Sequence, residues 1–160
     1  MNKAYLLTGG NTGDRKAFLQ QAIELITARC GKVVKQSSLY ETAAWGKTDQ
    51  DAFLNQALLL HTNMGTAELM TCLLGIEEEM GRKRAEKYGP RIIDIDILFY
   101  NAEVINSALI TVPHTEVAKR RFALTPLAEI APSLKHPQLN KTVTALLKEC
   151  PDPLPVTRLL

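Results

Sequence analysis

The chain has 160 residues, 46% of them apolar and 22% charged, with a formal net charge of +2. That length suits one domain with a single core, here the whole of residues 1–160, and the composition is ordinary for a globular protein. The mild charge argues against a nucleic-acid binder, and no apolar stretch approaches a membrane span or a signal peptide.

Lys3–Thr8 reads as a short strand, ended by the turn signal Gly9-Gly10-Asn11. Thr12 or Asp14 can cap the helix that follows. Between Arg15 and Arg29, the residues Phe18, Leu19, Ala22, Ile23 and Ile26 fall on one helical face, and Gly31 closes the helix. Lys32–Tyr40 reads as a strand and Glu41–Gln50 as a loop. Asp51–Asn63 is apolar, a long strand or a helix. A second helix opens at Gly65-Thr66, repeats Leu69, Leu73, Ile76 and Met80 on one face, and ends at Gly81.

A basic loop comes next, with Arg82, Lys83, Arg84, Lys87 and Arg91, and then the alternation Ile93-Asp94-Ile95-Asp96-Ile97. Asn101-Ala102 suggests a tight hairpin into Glu103–Ile105. Thr111–His114 is extended around Pro113, and Thr115–Phe122 suggests a short helix. Pro126, Pro132 and Pro137 divide the following segment into turns. Thr142–Glu149 is a last helix, and the Pro-rich tail from Pro151 is expected to pack weakly. The order β-α-β-β-α-β predicts an α+β, ferredoxin-like split βαβ sandwich. Its helices lie on one face of an antiparallel sheet, with additional C-terminal elements.

The chemistry concentrates around the alternation. A strand has a side-chain period of two, so Asp94 and Asp96 share one face and the isoleucines the other. Their Cα atoms would lie roughly 6.5–7 Å apart. Two neighbouring carboxylates are either a solvated face or a pair of hard-oxygen ligands for Mg²⁺. The arginines beside them are either a solvated loop or a polyphosphate clamp. Gly9–Gly13 lacks the G-x-x-x-x-G-K-[ST] pattern and reads as a plain turn, in which Asn11 can buttress a neighbouring loop. His61 reads as a core or strand residue, and His136 has no evident partner. His114 follows a proline and precedes Arg120 and Arg121. No histidine pair has zinc spacing. Cys30, Cys72 and Cys150 are far apart in sequence and outside any metal-ligand spacing, which reads as reduced thiols in a cytoplasmic protein.

Four blocks in one collinear order resemble the 6-hydroxymethyl-7,8-dihydropterin pyrophosphokinase family of the folate pathway. The first is Gly9–Asn11. The second runs from Tyr40-x-Thr42 through Gly46, Asp49, Gln50, Phe53, Leu54 and Asn55. The third joins Ile76-Glu77, Gly81-Arg82-x-Arg84 and Gly89-Pro90-Arg91-x-x-Asp94-x-Asp96-Ile97. The fourth joins Val112-Pro113-His114, Arg120-x-Phe122, Pro126-Leu127 and Glu129–Pro132.

The resemblance implies transfer of an intact diphosphate from ATP to the pterin hydroxymethyl group, with release of AMP. It implies that Asp94 and Asp96 hold two Mg²⁺ ions and that Arg82 and Arg91 support catalysis. ATP would be bound by Glu77, Arg82, Arg84, Lys87, Tyr88, Arg91, Ile97, Thr111, His114 and Arg120. The pterin would stack between Phe53 and Phe122, with Asn55, Asp94 and the Thr42-Ala43-Ala44-Trp45 segment around its polar edge. The basic loop is expected to close over the phosphates once both substrates are bound. The expected partners are these small molecules alone, with no nucleic acid, no membrane and a monomeric enzyme.

The chain departs from the family pattern at Ala43-Ala44, where Pro-Pro is usual, and at Trp45, Leu74 and Thr115. Lys87 replaces a frequent arginine, which exchanges a bidentate contact for a point charge. Two other classes compete with the enzyme. A regulatory small-molecule sensor has no evident need for the Asp pair, and a single-strand nucleic-acid binder would not place acids in its cleft.

Overall fold

The core of the sheet is a pair of long strands whose alternate residues feed opposite faces. The computed structural model describes residues 1–43, 51–81 and 91–159. In chain order the elements are β1 (Asn2–Gly10), α1 (Arg15–Arg29), β2 (Lys32–Gln36), β3 (Tyr40–Thr42), β4 (Phe53–Thr62), α2 (Thr66–Glu79), β5 (Asp94–Tyr100), β6 (Ile105–Asn106), β7 (Thr111–Val112), α3 (Arg121–Ile130), α4 (Val143–Glu149) and β8 (Val156–Arg158). A short 3₁₀ turn, Val117–Lys119, precedes α3. The main sheet runs β5-β1-β4-β3-β8, with β2 also on β4, and every pairing is antiparallel. Each βαβ crossover therefore skips one strand, which is the ferredoxin-like arrangement of an α+β fold.

Helices α1 and α2 form because their apolar residues recur on one face. Leu19, Ala22, Ile23 and Ile26 of α1 and Leu69, Leu73 and Ile76 of α2 are buried. They pack on Ala4 and Leu6 of β1, Leu54, Leu58 and Leu60 of β4, and Ile95 and Ile97 of β5. The Asp14 carboxylate caps α1 by accepting from Ala17 N at 3.2 Å. The opposite face is covered in part. Ala123, Leu124 and Leu127 of α3 and Val143 and Leu146 of α4 close over Leu7, Ala57 and Leu98. Helices α1 and α2 thus share one face, as expected, while the additional C-terminal helices α3 and α4 cover part of the other and leave it open at one end.

Several local expectations change. The stretch Lys32–Tyr40 is two strands, because the Ser37 hydroxyl takes the ladder donor Ala57 N at 2.9 Å and Gln56 Nε2 takes Ser37 O. Asn101 does turn the chain, with φ of 50°. However, β6 pairs with β7 and not back onto β5. Pro126 makes no turn and lies inside the continuous helix α3, whereas Pro132 and Pro137 do lie in turns. Proline at that position removes one helical hydrogen bond, and burial of Ala123, Leu124, Pro126 and Leu127 compensates. The tail is not loose. It forms β8 on the edge of β3 and carries Asp152 at 3% exposure.

Candidate active site

The open end of the second face is where β1 and β3 finish and β4 and β5 begin. Leu7, Gly9, Thr42, Ala43, Phe53, Asn55, Arg91, Asp94, Asp96, Arg120 and Phe122 line one cleft there. It encloses about 700 Å³, counting its open mouth. Strand parity builds it. The isoleucines at 93, 95 and 97 are 0–3% exposed on the helical side, so Asp94 and Asp96 must face the cleft. In β4, Leu54 enters the core and Asn55 enters the cleft.

Glycine makes room for this. A Cβ on Gly9 would sit 2.0 Å from Asn55 Nδ2, and one on Gly10 would sit 2.3 Å from Ile92 O. The Gly9-Gly10 pair is therefore the end of β1, required by close approach, where sequence reasoning saw only a turn. Asn11 does buttress its neighbours. Its Nδ2 donates to Asp51 O at 3.0 Å, and its Oδ1 accepts from Arg91 N at 2.8 Å. The backbone of Asn11 donates to Arg91 O at 2.9 Å. The role of Asn11 in holding the start of the Asp strand is thus specific.

Asn55 is 6% exposed. Its Nδ2 donates to Thr8 O at 3.2 Å, which fixes the amide orientation, and its Oδ1 is buried with no hydrogen-bond partner among the described residues. A buried unmet acceptor costs about 1–3 kcal/mol. A ligand that donates a hydrogen bond removes that cost. Phe53 and Phe122 are half-buried in the same cleft. The Arg120 guanidinium lies 5.6 Å from the Phe122 ring centroid, a cation–π distance. Arg91 Nε approaches Asp94 Oδ1 at 3.8 Å.

Glu77, Ile97, Thr111 and His114 lie instead along the outer edge of β5. Glu77 is 5% exposed, and its Oε2 accepts from Ile95 N at 2.6 Å. It is a buried group meeting an edge-strand donor, not a surface residue of an acidic run. His114 N donates to Leu98 O at 2.9 Å on that same edge. By strand parity, the backbone groups of Ile97 face outward between these two contacts. Burial pushes the His114 imidazole below its ordinary pKa, as does Arg120, against the opposing pull of Asp96 and Glu116. Its Nδ1 accepts from Glu116 N at 3.1 Å, so the neutral ring carries its proton on Nε2 and remains a donor.

Arg82, Arg84, Lys87, Tyr88, Ala44 and Trp45, and the loop expected to close, lie outside the described residues. One other expectation is corrected. His136 is buried and well partnered: its Nδ1 accepts from Gln138 N and Leu139 N, and its ring stands edge-on to Phe99. Cys30 and Cys72, distant in sequence, bring their sulfurs into contact while remaining free thiols.

Among the described residues, no group of three His, Cys, Asp or Glu side chains is placed to hold a metal. The Asp94–Asp96 pair is the donor set available. Two carboxylates without a third protein ligand suit Mg²⁺, which usually completes its shell with water and phosphate oxygens. No helix among the described residues is long and apolar enough to cross a membrane.

Comparison with known proteins agrees with this arrangement. The family model described as 7,8-dihydro-6-hydroxymethylpterin-pyrophosphokinase matches residues 5–132. A 2-amino-4-hydroxy-6-hydroxymethyldihydropteridine pyrophosphokinase of Methylorubrum extorquens is 44% identical over 135 residues, covering 84% of this chain and 85% of the relative. The enzyme of the same description from Aquifex aeolicus is 43% identical over 141 residues, 88% of each chain. Among solved structures, the Plasmodium falciparum HPPK-DHPS triple mutant with pteroate superposes with a TM-score of 0.74 at 21% identity. That match covers 92% of this chain but only 43% of the larger protein, and it supports the fold. With the family model matched over residues 5–132 and relatives 43–44% identical over most of their length, the chain belongs to the 7,8-dihydro-6-hydroxymethylpterin-pyrophosphokinase family of enzymes.

Proposed function

We propose that the protein transfers the β- and γ-phosphates of ATP, as one diphosphate, to the hydroxymethyl oxygen of 6-hydroxymethyl-7,8-dihydropterin. AMP is the other product, and the reaction belongs to folate biosynthesis. The observation that carries this reading is the unmet Asn55 Oδ1, buried in a cleft that also holds Asp94, Asp96, Phe53 and Phe122. A pterin has a flat ring to stack between two aromatics and N–H groups along one edge. Asn55 Oδ1 accepts from that edge, and Thr42 and Ala43 form the adjoining wall.

The substrate hydroxyl then points to the Asp pair. Its oxygen attacks the β-phosphorus, the bond to the α,β-bridging oxygen breaks, and that oxygen leaves on AMP. Asp94 and Asp96 would hold two Mg²⁺ ions beside the triphosphate. When bound, magnesium supplies charge neutralisation and a lowered hydroxyl pKa. An aspartate oxygen accepts the hydroxyl proton. Arg91, beside Asp94, and Arg120, over Phe122, face the phosphates as fixed cations. His114 donates from Nε2. Glu77 and the outward backbone groups of Ile97 and Thr111 frame the nucleotide base on the edge of β5. Arg82, Arg84, Lys87 and Tyr88 complete the phosphate contacts from the basic loop, with Arg82 assisting the transfer. Ala44 and Trp45 extend the pterin wall.

The test is to supply ATP, Mg²⁺ and the dihydropterin and identify the nucleotide product. AMP in equal amount to pterin diphosphate is expected. ADP in its place would mean single-phosphate transfer and refute the reading.

A further inference from the structure

The two walls of the cleft that carry Thr42 and Phe122 are held by residues that do not line it. Wall one is the end of β3. Strand β8 pairs with it, Thr42 opposite Val156, and the Thr42 hydroxyl donates to Pro155 O at 3.0 Å. Leu159 N extends the seam to Leu39 O at 2.9 Å. Wall two is the start of α3. Its own N-cap residue, Arg120, supplies no capping side chain.

Asp152 takes over that task from thirty-one residues away in sequence: its Oδ2 accepts from Arg121 N at 3.1 Å. The same carboxylate accepts from Leu154 N through Oδ1 at 3.0 Å, which turns the tail toward β8. Arg121 completes the link, donating from Nε to Asp152 O at 3.2 Å and from Nη2 to Cys150 O at 3.1 Å. Asp152 is 3% exposed, so these contacts operate away from bulk water and hold firm. One buried carboxylate thus bridges the helix that presents Arg120 and Phe122 and the strand that supports Thr42 and Ala43. The tail's half of the bridge, from Cys150 to Leu159, lies beyond residue 132, where the family match ends.

We propose that Asp152 is a positioning residue of the pterin site, setting the Phe122 wall and the Thr42 wall relative to each other through the C-terminal tail. The proposal rests on the pterin reading of the cleft. Its effect is selective. ATP is framed mainly by Asp94, Asp96, Glu77 and His114, and of its proposed contacts Arg120 alone sits at the start of the helix that Asp152 caps, whereas both the Thr42 wall and the Phe122 wall of the pterin slot depend on the bridge. Loss of the bridge loosens the slot and reaches the nucleotide side through Arg120 alone.

The experiment compares wild type, Asp152→Ala, Asp152→Asn and the surface control Glu149→Gln, whose carboxylate pairs with the exposed Lys141. KM for dihydropterin and for ATP are measured separately, with far-UV circular dichroism to check folding. For Asp152→Ala, KM for dihydropterin is expected to rise about tenfold and KM for ATP by less than about threefold. Asp152→Asn, which keeps one acceptor oxygen, is expected to recover part of the pterin affinity. Glu149→Gln is expected to match wild type. If the alanine variant does not fold, the asparagine variant decides by the same split. A folded Asp152 variant whose pterin KM is unchanged, or whose two KM values rise together, overturns the proposal. A wild type that makes no AMP from ATP and the dihydropterin overturns the underlying functional reading as well, so the two failures are told apart.

Discussion

The two faces of the sheet are fed by alternate residues of the same strands, yet they are built to opposite rules. On the α1/α2 face, Leu6, Leu58, Leu60 and Ile95 meet apolar helices and every one is buried. On the other face, Leu7, Ala57 and Leu98 are covered by α3 and α4, but the neighbouring positions Gly9, Asn55, Asp94 and Asp96 open into the cleft. A step of one residue along β4, from Leu54 to Asn55, crosses from core to site. The first face serves stability. The open end of the second carries the buried Asn55 acceptor and two neighbouring carboxylates, Asp94 and Asp96. A fold tolerates such costs at a functional site and offsets them elsewhere.

Substitutions that act on one face and spare the other break or sharpen this contrast. The largest effect is expected at the Asp pair. Asp94→Ala or Asp96→Ala should cut kcat by about 10³ or more while the melting temperature moves by only a few degrees, on the order of 1 kcal/mol. Near-normal turnover in either variant would remove the metal assignment. The mirror experiment is Leu58→Ala on the dry face. It should cost about 2–5 kcal/mol of stability, read as a lower urea midpoint, and leave kcat near wild type at low temperature. Equal losses of stability and kcat would mean that the faces are not separable.

A smaller effect belongs to Asn55. Replacing it by leucine removes the orphan acceptor and its desolvation cost. We expect KM for the pterin to rise about tenfold, with stability held or increased. An unchanged KM would place the pterin edge elsewhere. The smallest concerns His136, on the covered part of the second face. Burial lowers its pKa from the ordinary 6.5, and its Nδ1 must stay unprotonated to accept two backbone donors. The folded state therefore binds fewer protons than the unfolded one just below pH 6.5. The stability this ring contributes is present above 6.5 and lost as pH falls further. Nuclear magnetic resonance should find its ring titrating below 6.5, and a midpoint above that value would contradict the packing described.

How much of this was legible before any coordinates depended on whether the signal was local. The alternation at 93–97 fixed which face each Asp takes, since strand period admits no other answer. The stripe in α1 was equally clear, as was Asn11 as a buttress. What escaped was set by distant partners. Pro126 reads as a breaker, yet burial against β4 outweighs one lost hydrogen bond. The tail is rich in proline, but β8 is held through backbone pairing, which leaves no side-chain pattern. Asp152 caps a helix far away in sequence, and the Cys30–Cys72 contact is equally non-local. Asn55 was named through resemblance to the family. That its Oδ1 has no partner needed the packing of Gly9 and Thr8 around it.

The most direct measurement is a crystal structure with Mg²⁺, a non-hydrolysable ATP analogue and the dihydropterin together. The account predicts carboxylate oxygens of both Asp94 and Asp96 on magnesium at about 2.1 Å, the pterin ring between Phe53 and Phe122, and Asn55 Oδ1 accepting from its polar edge. Magnesium bound away from the two aspartates, or a pterin lying outside the Phe53–Phe122 slot, would contradict it.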